Sequence, residues 1–222
     1  MKKLEDYETK KYDELKVNKS QRKTQIVVLG SSSAICTKTA YNMAFEIGQE
    51  LGKAGVVTLT GGGHGVMEAT LKGAKKEGGQ TMAIVPWENM SIVNDYADIV
   101  VATGIGWSRN SININSADGC IVVHGGAGTL NEATYAYMMS KPTVTLKTSG
   151  GIAEEIADKF FDTRQTEQMV GCDTPQSAVK TILKLVEKSR KKTKKISEHD
   201  KLMLDTEEHQ NRKIQLRKNA KN

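Results

Sequence analysis

The 222 residues, 38% hydrophobic and 26% charged, suffice for one α/β domain with a sizeable core plus short appendages, and leave no room for a second full domain. The net charge of +6 sits at the ends: residues 188–222 carry 12 Lys/Arg against 5 Asp/Glu and residues 1–23 carry 8 against 5, whereas residues 24–187 carry 12 against 16. A mildly acidic body excludes a broad basic face for nucleic acid or membrane, so any anion bound there has to be held by local groups such as backbone amides.

Residues 1–23 are polar and charge-dense, and Leu4, Tyr7, Tyr12, Leu15 and Val17 make no strong core face, so they read as a charged N-terminal arm. The folded domain is expected over 24–187. It begins with a buried strand at Gln25–Leu29 that ends in Gly30 and a serine cluster, followed by a helix over Thr39–Lys53. Val56–Thr60 is the next strand, Gly61–Gly65 the turn, and the stretch from Val66 a helix. Strands follow at Thr81–Pro86 and Asp98–Gly104, then a helix over Ser108–Ser116 and a fifth strand at Gly119–Val123. Thr129–Lys141 supplies another helix, Pro142–Leu146 a sixth strand, and Thr174–Lys188 a closing helix with Thr174 as N-cap and Pro175 in its first position. Beyond it, residues 188–222 form a basic tail or helix extension, which is where a nucleic-acid contact would fall if there is one.

Nearly continuous Val/Ile/Leu strands alternating with helices imply a parallel sheet covered on both faces: a Rossmann-like doubly wound α/β fold in three layers. Ligands in such folds sit outside the carboxyl ends of the strands, at the switch point. The turns Gly30-Ser31-Ser32, Gly61-Gly62-Gly63 with Gly65, and Gly125-Gly126 all fall at those ends. Three scattered cysteines, Cys36, Cys120 and Cys172, show no CxxC and no zinc spacing, and point to a reduced, cytoplasmic protein. No apolar run approaches the roughly 18 residues of a membrane span, and MKKLEDYETKKYDEL lacks the apolar segment of a signal peptide.

Two stretches carry chemistry. GGGHG matches neither GxxxxGK[ST] nor GxGxxG with an acidic partner, so it is either a packing turn or a phosphate cradle. In HGGAGTLNE, residues 124–132, Thr129 is placed to cap a helix with Glu132 three residues later, a capping box that needs no chemistry. The competing reading puts a phosphate on the amides of Gly125, Gly126, Gly128 and Thr129, with Arg109 and Asn110 at the start of the preceding polar helix facing it. His64 and His124, without a third ligand, make no metal site; Trp87 and Trp107 flank the crevice as rim packing or as stacking faces.

TGGGHGVMEATLKGA, SRNSIN, SADGCIVV, GGAGTLNEA and KPTV together resemble the Lonely Guy (LOG) family, its molybdenum-cofactor-carrier-like relatives and the wider nucleotide-binding SLOG superfamily, over about residues 24–187. The LOG branch implies cleavage of a nucleoside 5′-monophosphate to free base and ribose 5-phosphate, with Arg109 and Glu132 as the catalytic pair and no metal or cofactor. Three departures resemble the carrier-like branch instead: His124 where a proline precedes the glycine pair, Ala127 where an aromatic residue is common, and a shorter first glycine turn. That branch implies a non-catalytic carrier or sensor of a phosphorylated heterocycle such as molybdenum cofactor. Either resemblance implies a homodimer or higher homo-oligomer.

Overall fold

The first strand, β1 (Gln25–Gly30), alternates its side chains between two apolar layers. Ile26 and Val28 face one layer, Val27 and Leu29 the other, and all four are buried. That two-residue period with both faces apolar is possible only where helices cover the strand on either side. The computed structural model describes residues 22–165 and 167–192, and within them Lys23–Ser189 makes one compact unit. The expected arm over 1–23 and tail over 188–222 lie outside the described residues apart from Arg22, Lys23 and the end of the last helix.

Seven parallel strands make the sheet: β1, β2 (Val57–Thr60), β3 (Gln80–Val85), β4 (Ile99–Ala102), β5 (Gly119–Val123), β6 (Thr143–Leu146) and β7 (Met169–Cys172). Their order is β4-β3-β2-β1-β5-β6-β7. Helices α1 (Lys38–Lys53), α2 (Val66–Lys76) and α6 (Pro175–Lys192) pack on the Ile26 face, and α3 (Arg109–Asn115), α4 (Ala127–Met138) and α5 (Gly151–Glu155) on the Val27 face. The Rossmann-like α/β/α expectation therefore holds. The strand count was six by sequence and is seven; β7 is four residues long and carries Gly171, too short and too broken to show a period. Thr174 does cap α6, its Oγ1 accepting from Ser177 N at 3.2 Å. Among the described residues no helix is long and apolar enough to cross a membrane.

The order of winding reverses at β1. From there the chain steps outward through β2, β3 and β4, then returns to the other side of β1 with β5. The carboxyl ends of β1 and β5 are in register, Gly30 opposite Val123, and this is the switch point where the connecting segments diverge and open a crevice. The turns after β1, β2 and β5 all meet at this point.

Candidate functional site

At the end of β5 the backbone twists through two left-handed residues, His124 (φ 54°) and Gly125 (φ 103°), before α4 begins at Ala127. The N-cap of α4 is Gly126, which has no side chain to cap with, and no side chain caps the first turn. This corrects the capping-box expectation: Thr129 lies inside the helix, 4% exposed against Gly125, and Glu132 is turned inward to 8% exposure rather than back toward the cap. The helix starts earlier than hydrophobic spacing suggests because Ala127 and Gly128 are exposed and leave no apolar mark. An uncapped helix start presents amide donors and the positive end of the helix dipole.

The neighbouring helix starts are partly taken up by backbone carbonyls. Ile152 N and Ala153 N of α5 donate to Gly125 O (3.2 Å) and His124 O (3.1 Å), and Ser149 Oγ accepts from His124 N at 2.7 Å. The α5 start thus holds the β5 turn in shape. At α2, Val66 N donates to Ser31 O at 3.0 Å, and Gly65 lies so close to the Ser31–Ser33 backbone that a Cβ there would stand 2.7 Å from Ser31 O. The start of α4 has neither a side-chain cap nor a backbone partner of this kind, while at α2 only the first amide is taken up.

The β2 turn forms the opposite wall. Asn94, 2% exposed and 32 residues from Gly62 in sequence, donates through Nδ2 to Gly62 O (3.1 Å) and Gly63 O (2.9 Å), while Gly62 N donates to Thr60 Oγ1 at 3.2 Å. Sequence reading missed Asn94 because it lies in an irregular stretch with no spacing to mark it. Asn94→Ala is expected to lower the unfolding free energy by about 2 kcal/mol, the cost of two buried carbonyl bonds, read from urea melts. An unchanged midpoint would show that the turn holds itself.

Arg109 lies across this wall: a Cβ on Gly61 would stand 2.7 Å from its Nη1, so the guanidinium rests on bare glycine backbone. Its Nη1 reaches Glu132 Oε1 at 3.5 Å, a charge contact too long for a strong hydrogen bond. Asn113, one turn beyond Arg109 on α3, donates to the same carboxylate oxygen at 2.8 Å. Burial lowers the Arg109 pKa despite the Glu132 charge, and burial pushes Glu132 up to about 7 despite Asn113 and Arg109. Desolvation thus outweighs pairing on both partners, so burial disfavours the charged form of each despite their mutual attraction. Arg109 Nε, Asn113 Oδ1 and Ser31 Oγ are buried without a hydrogen-bond partner. Such groups are rare in a finished core and common where a ligand completes the set.

Gly30 is packed so tightly at the switch point that a Cβ would stand 2.4 Å from Val123 O, so its role in this structure is close strand packing. Ser31 is 1% exposed and Ser32 exposed. Asn110 spends its Nδ2 on Asn131 Oδ1 at 2.8 Å, on the α3–α4 contact. His64 pairs with Glu68 at 3.0 Å on the surface. Trp87 packs beside Leu71, Ala83 and Val85, away from the role of a stacking face, whereas Trp107 is 81% exposed. Cys36 packs at the edge of the α1 layer.

Comparison with known proteins identifies the fold and the family. An uncharacterized protein of Archaeoglobus fulgidus is 41% identical over 123 residues, which is 55% of this chain and 80% of that protein. A cytokinin riboside 5′-monophosphate phosphoribohydrolase of Mycobacterium tuberculosis is 32% identical over 93 residues, 40% of this chain; the match spans 50% of the enzyme's length. Among solved structures, the molybdenum cofactor binding protein of the phototrophic bacterium Rippkaea orientalis superposes with a TM-score of 0.67 at 34% identity, covering 75% of this chain and 99% of that one. The molybdenum cofactor carrier protein of Chlamydomonas reinhardtii does so at 0.65 and 32%, again over 75% and 99%. A model of one family matches residues 23–179, the whole sheet and both glycine turns, and the chain belongs to that family, the SLOG cluster4 family.

Proposed function

We propose that the chain binds a phosphorylated, nucleotide-like small molecule in the crevice at the ends of β1, β2 and β5. In this reading the phosphate sits on the amides of Gly126, Gly128 and Thr129 at the start of α4, with Gly125 shaping the turn. Arg109 faces it from across the Gly61–Gly63 wall. The observation that carries the reading is the pairing of an uncapped helix start with a buried guanidinium whose Nε has no partner. Resemblance to molybdenum cofactor binding and carrier proteins over nearly their whole length supports a binder that returns its ligand unchanged.

A second reading, hydrolysis, is favoured by Glu132. A carboxyl held near pH 7 is present in both protonation states at neutral pH, which suits a group that must accept a proton and then release it. In that reaction the bond between ribose C1′ and the base nitrogen breaks, its electron pair leaving with the base. The Glu132 carboxylate stabilises the oxocarbenium-like ribose and takes a proton from the attacking water, and the base gains one. Arg109 balances phosphate charge. The products are free base and ribose 5-phosphate.

Calorimetry and product analysis with AMP separate the readings. A binder takes up one AMP per chain and returns it intact; a hydrolase releases adenine, and Glu132→Gln abolishes the release. If AMP, ribose 5-phosphate and inorganic phosphate all fail to bind, the phosphate seat itself is wrong. Mass spectrometry of whatever co-purifies with the protein then identifies the natural ligand.

A further inference from the structure

Behind the anion seat, one buried acceptor lacks a donor. Asn113, 1% exposed, donates its Nδ2 to Glu132 Oε1 at 2.8 Å, yet its own Oδ1 is buried without a hydrogen-bond partner. A carboxylate has no proton to offer that oxygen, whereas a carboxylic acid has one. A neutral Glu132 can give its hydroxyl to Asn113 Oδ1 while still accepting from Asn113 Nδ2, so that acid and amide meet through two hydrogen bonds in place of one. Burial raises the Glu132 carboxyl to about 7, and Asn113 and Arg109 oppose that shift. Arg109 does so by its charge, with Nη1 3.5 Å from Glu132 Oε1. The same guanidinium rests on Gly61 and has an unpartnered Nε, so an anion in the crevice competes with Glu132 for it. Among the described residues no other ionised side chain faces Glu132 from the elements packed on α4. β1 and β6 carry none, α5 turns Glu154 and Glu155 to solvent, and Cys120 of β5 is a neutral thiol, pushed up to about 12 by burial. Lys141, past the far end of α4, donates to Ala117 O at 2.6 Å.

We infer that the site takes up its anionic ligand together with a proton: as Arg109 turns its charge to the anion, Glu132 accepts a proton from solvent and donates it to Asn113 Oδ1. The inference rests on the phosphate-binding reading and adds how that binding responds to pH. The ligand itself is unchanged, and the O–H of Glu132 is the only covalent bond formed. With Glu132 still ionised, two anions would crowd one guanidinium in a buried place, and like charges there favour the neutral carboxyl. A Glu132 protonated in the complex neither steadies a ribose cation nor accepts a proton from water. The coupling therefore favours a ligand returned intact over a ligand hydrolysed.

Sulfate is the probe, because this tetrahedral dianion gains and loses no proton near neutrality and every proton counted belongs to the protein. The full chain and Glu132→Gln are titrated by calorimetry from about pH 6 to about pH 8.5, in buffers of low and high ionisation enthalpy. Wild-type affinity is expected to fall about tenfold between roughly pH 6.5 and 8, with proton uptake approaching about one per sulfate at the alkaline end. Glu132→Gln, whose amide makes both bonds to Asn113 without a proton, should bind equally well throughout and take up none. Independently of the variant, an infrared difference spectrum of the wild type should gain a carboxylic-acid band and lose a carboxylate band when sulfate binds at the alkaline end. Wild-type binding that is flat or strengthens with pH, or a spectrum without that exchange of bands, overturns the inference and leaves the phosphate seat standing. Uptake that persists in Glu132→Gln assigns the proton to another group such as His124, with the same consequence. If neither sulfate nor inorganic phosphate binds either protein at any pH, the seat and the inference fall together.

Discussion

Glu132→Gln is expected to make the fold more stable at pH 8 than the wild type, by about 3 kcal/mol, while matching it near pH 4. Burial raises the Glu132 carboxyl from its ordinary 4.5 to about 7. A raised carboxyl contributes stability that is fully present below the unfolded value and is lost as pH climbs through the folded value, because the unfolded chain gives up the proton first. The window is therefore from about pH 4.5 to 7 or slightly above, at about 1.4 kcal/mol per pH unit. The glutamine of the variant has no proton to lose and keeps an oxygen to accept from Asn113 Nδ2, as the Glu132 carboxylate does. The difference between the two proteins should open across that window, read from urea melts at a series of pH values, with the rest of the titrating groups cancelling. A gap that stays constant with pH would mean that Glu132 is solvated or fully neutralised by Arg109. Stabilisation by removal marks a group kept for chemistry or binding at the expense of the fold.

The outcome bears on how the site could be read from residues alone. The strands announced themselves because β1, β2, β5 and β6 are buried on both faces and nearly uninterrupted in Val, Ile, Leu and Thr. Their carboxyl ends followed from the glycine turns, whereas the pairing of Arg109 with Glu132 across 23 residues followed from the family resemblance of the motifs that carry them. Asn113 left a signal, an amide four residues after Arg109 on a short polar helix, and its bond to Glu132 is the reason that helix is polar on its buried side. The polar helix admitted both a surface and a crevice reading. Burial decides between them: Arg109, Asn110 and Asn113 are all under 9% exposed.

Other features had no local signal. The N-cap of α4 misled because Thr129 and Glu132 fit a capping box in spacing, and only the packing of Thr129 against Gly125 moves the helix start three residues earlier. Ser149 and Asn94 act through long-range side-chain hydrogen bonds to backbone, which no periodicity encodes. The five-residue α5 opens with Gly150 and Gly151, both at positive φ, residues that normally argue against a helix start. It exists because its first amides are satisfied by His124 and Gly125, so the same bonds that shape the turn before α4 also create this helix.

That dependence makes Gly125 the most sensitive point of the site. Its φ of 103° is a conformation that side chains with a Cβ rarely adopt. A Cβ there would also stand 2.5 Å from Thr129 Oγ1 and 2.6 Å from both Thr129 Cβ and Cγ2. Neither residue can yield easily: Gly125 O is held by Ile152 N, and Thr129 is buried within the helix. Gly125→Ala is expected to cost about 3 kcal/mol or more, combining backbone strain with overpacking. It should also abolish phosphate binding, because the first turn of α4 has to shift to make room. The double variant Gly125→Ala with Thr129→Gly deletes all three clashing atoms and leaves backbone strain plus the cost of an added helix glycine. Steric crowding between Gly125 and Thr129 therefore predicts a large positive coupling between the two sites in a double-mutant cycle of urea melts. Additive losses would instead place the whole penalty in the backbone of Gly125, and a Gly125→Ala protein that melts and binds like the wild type would show that the turn does not hold this geometry in solution.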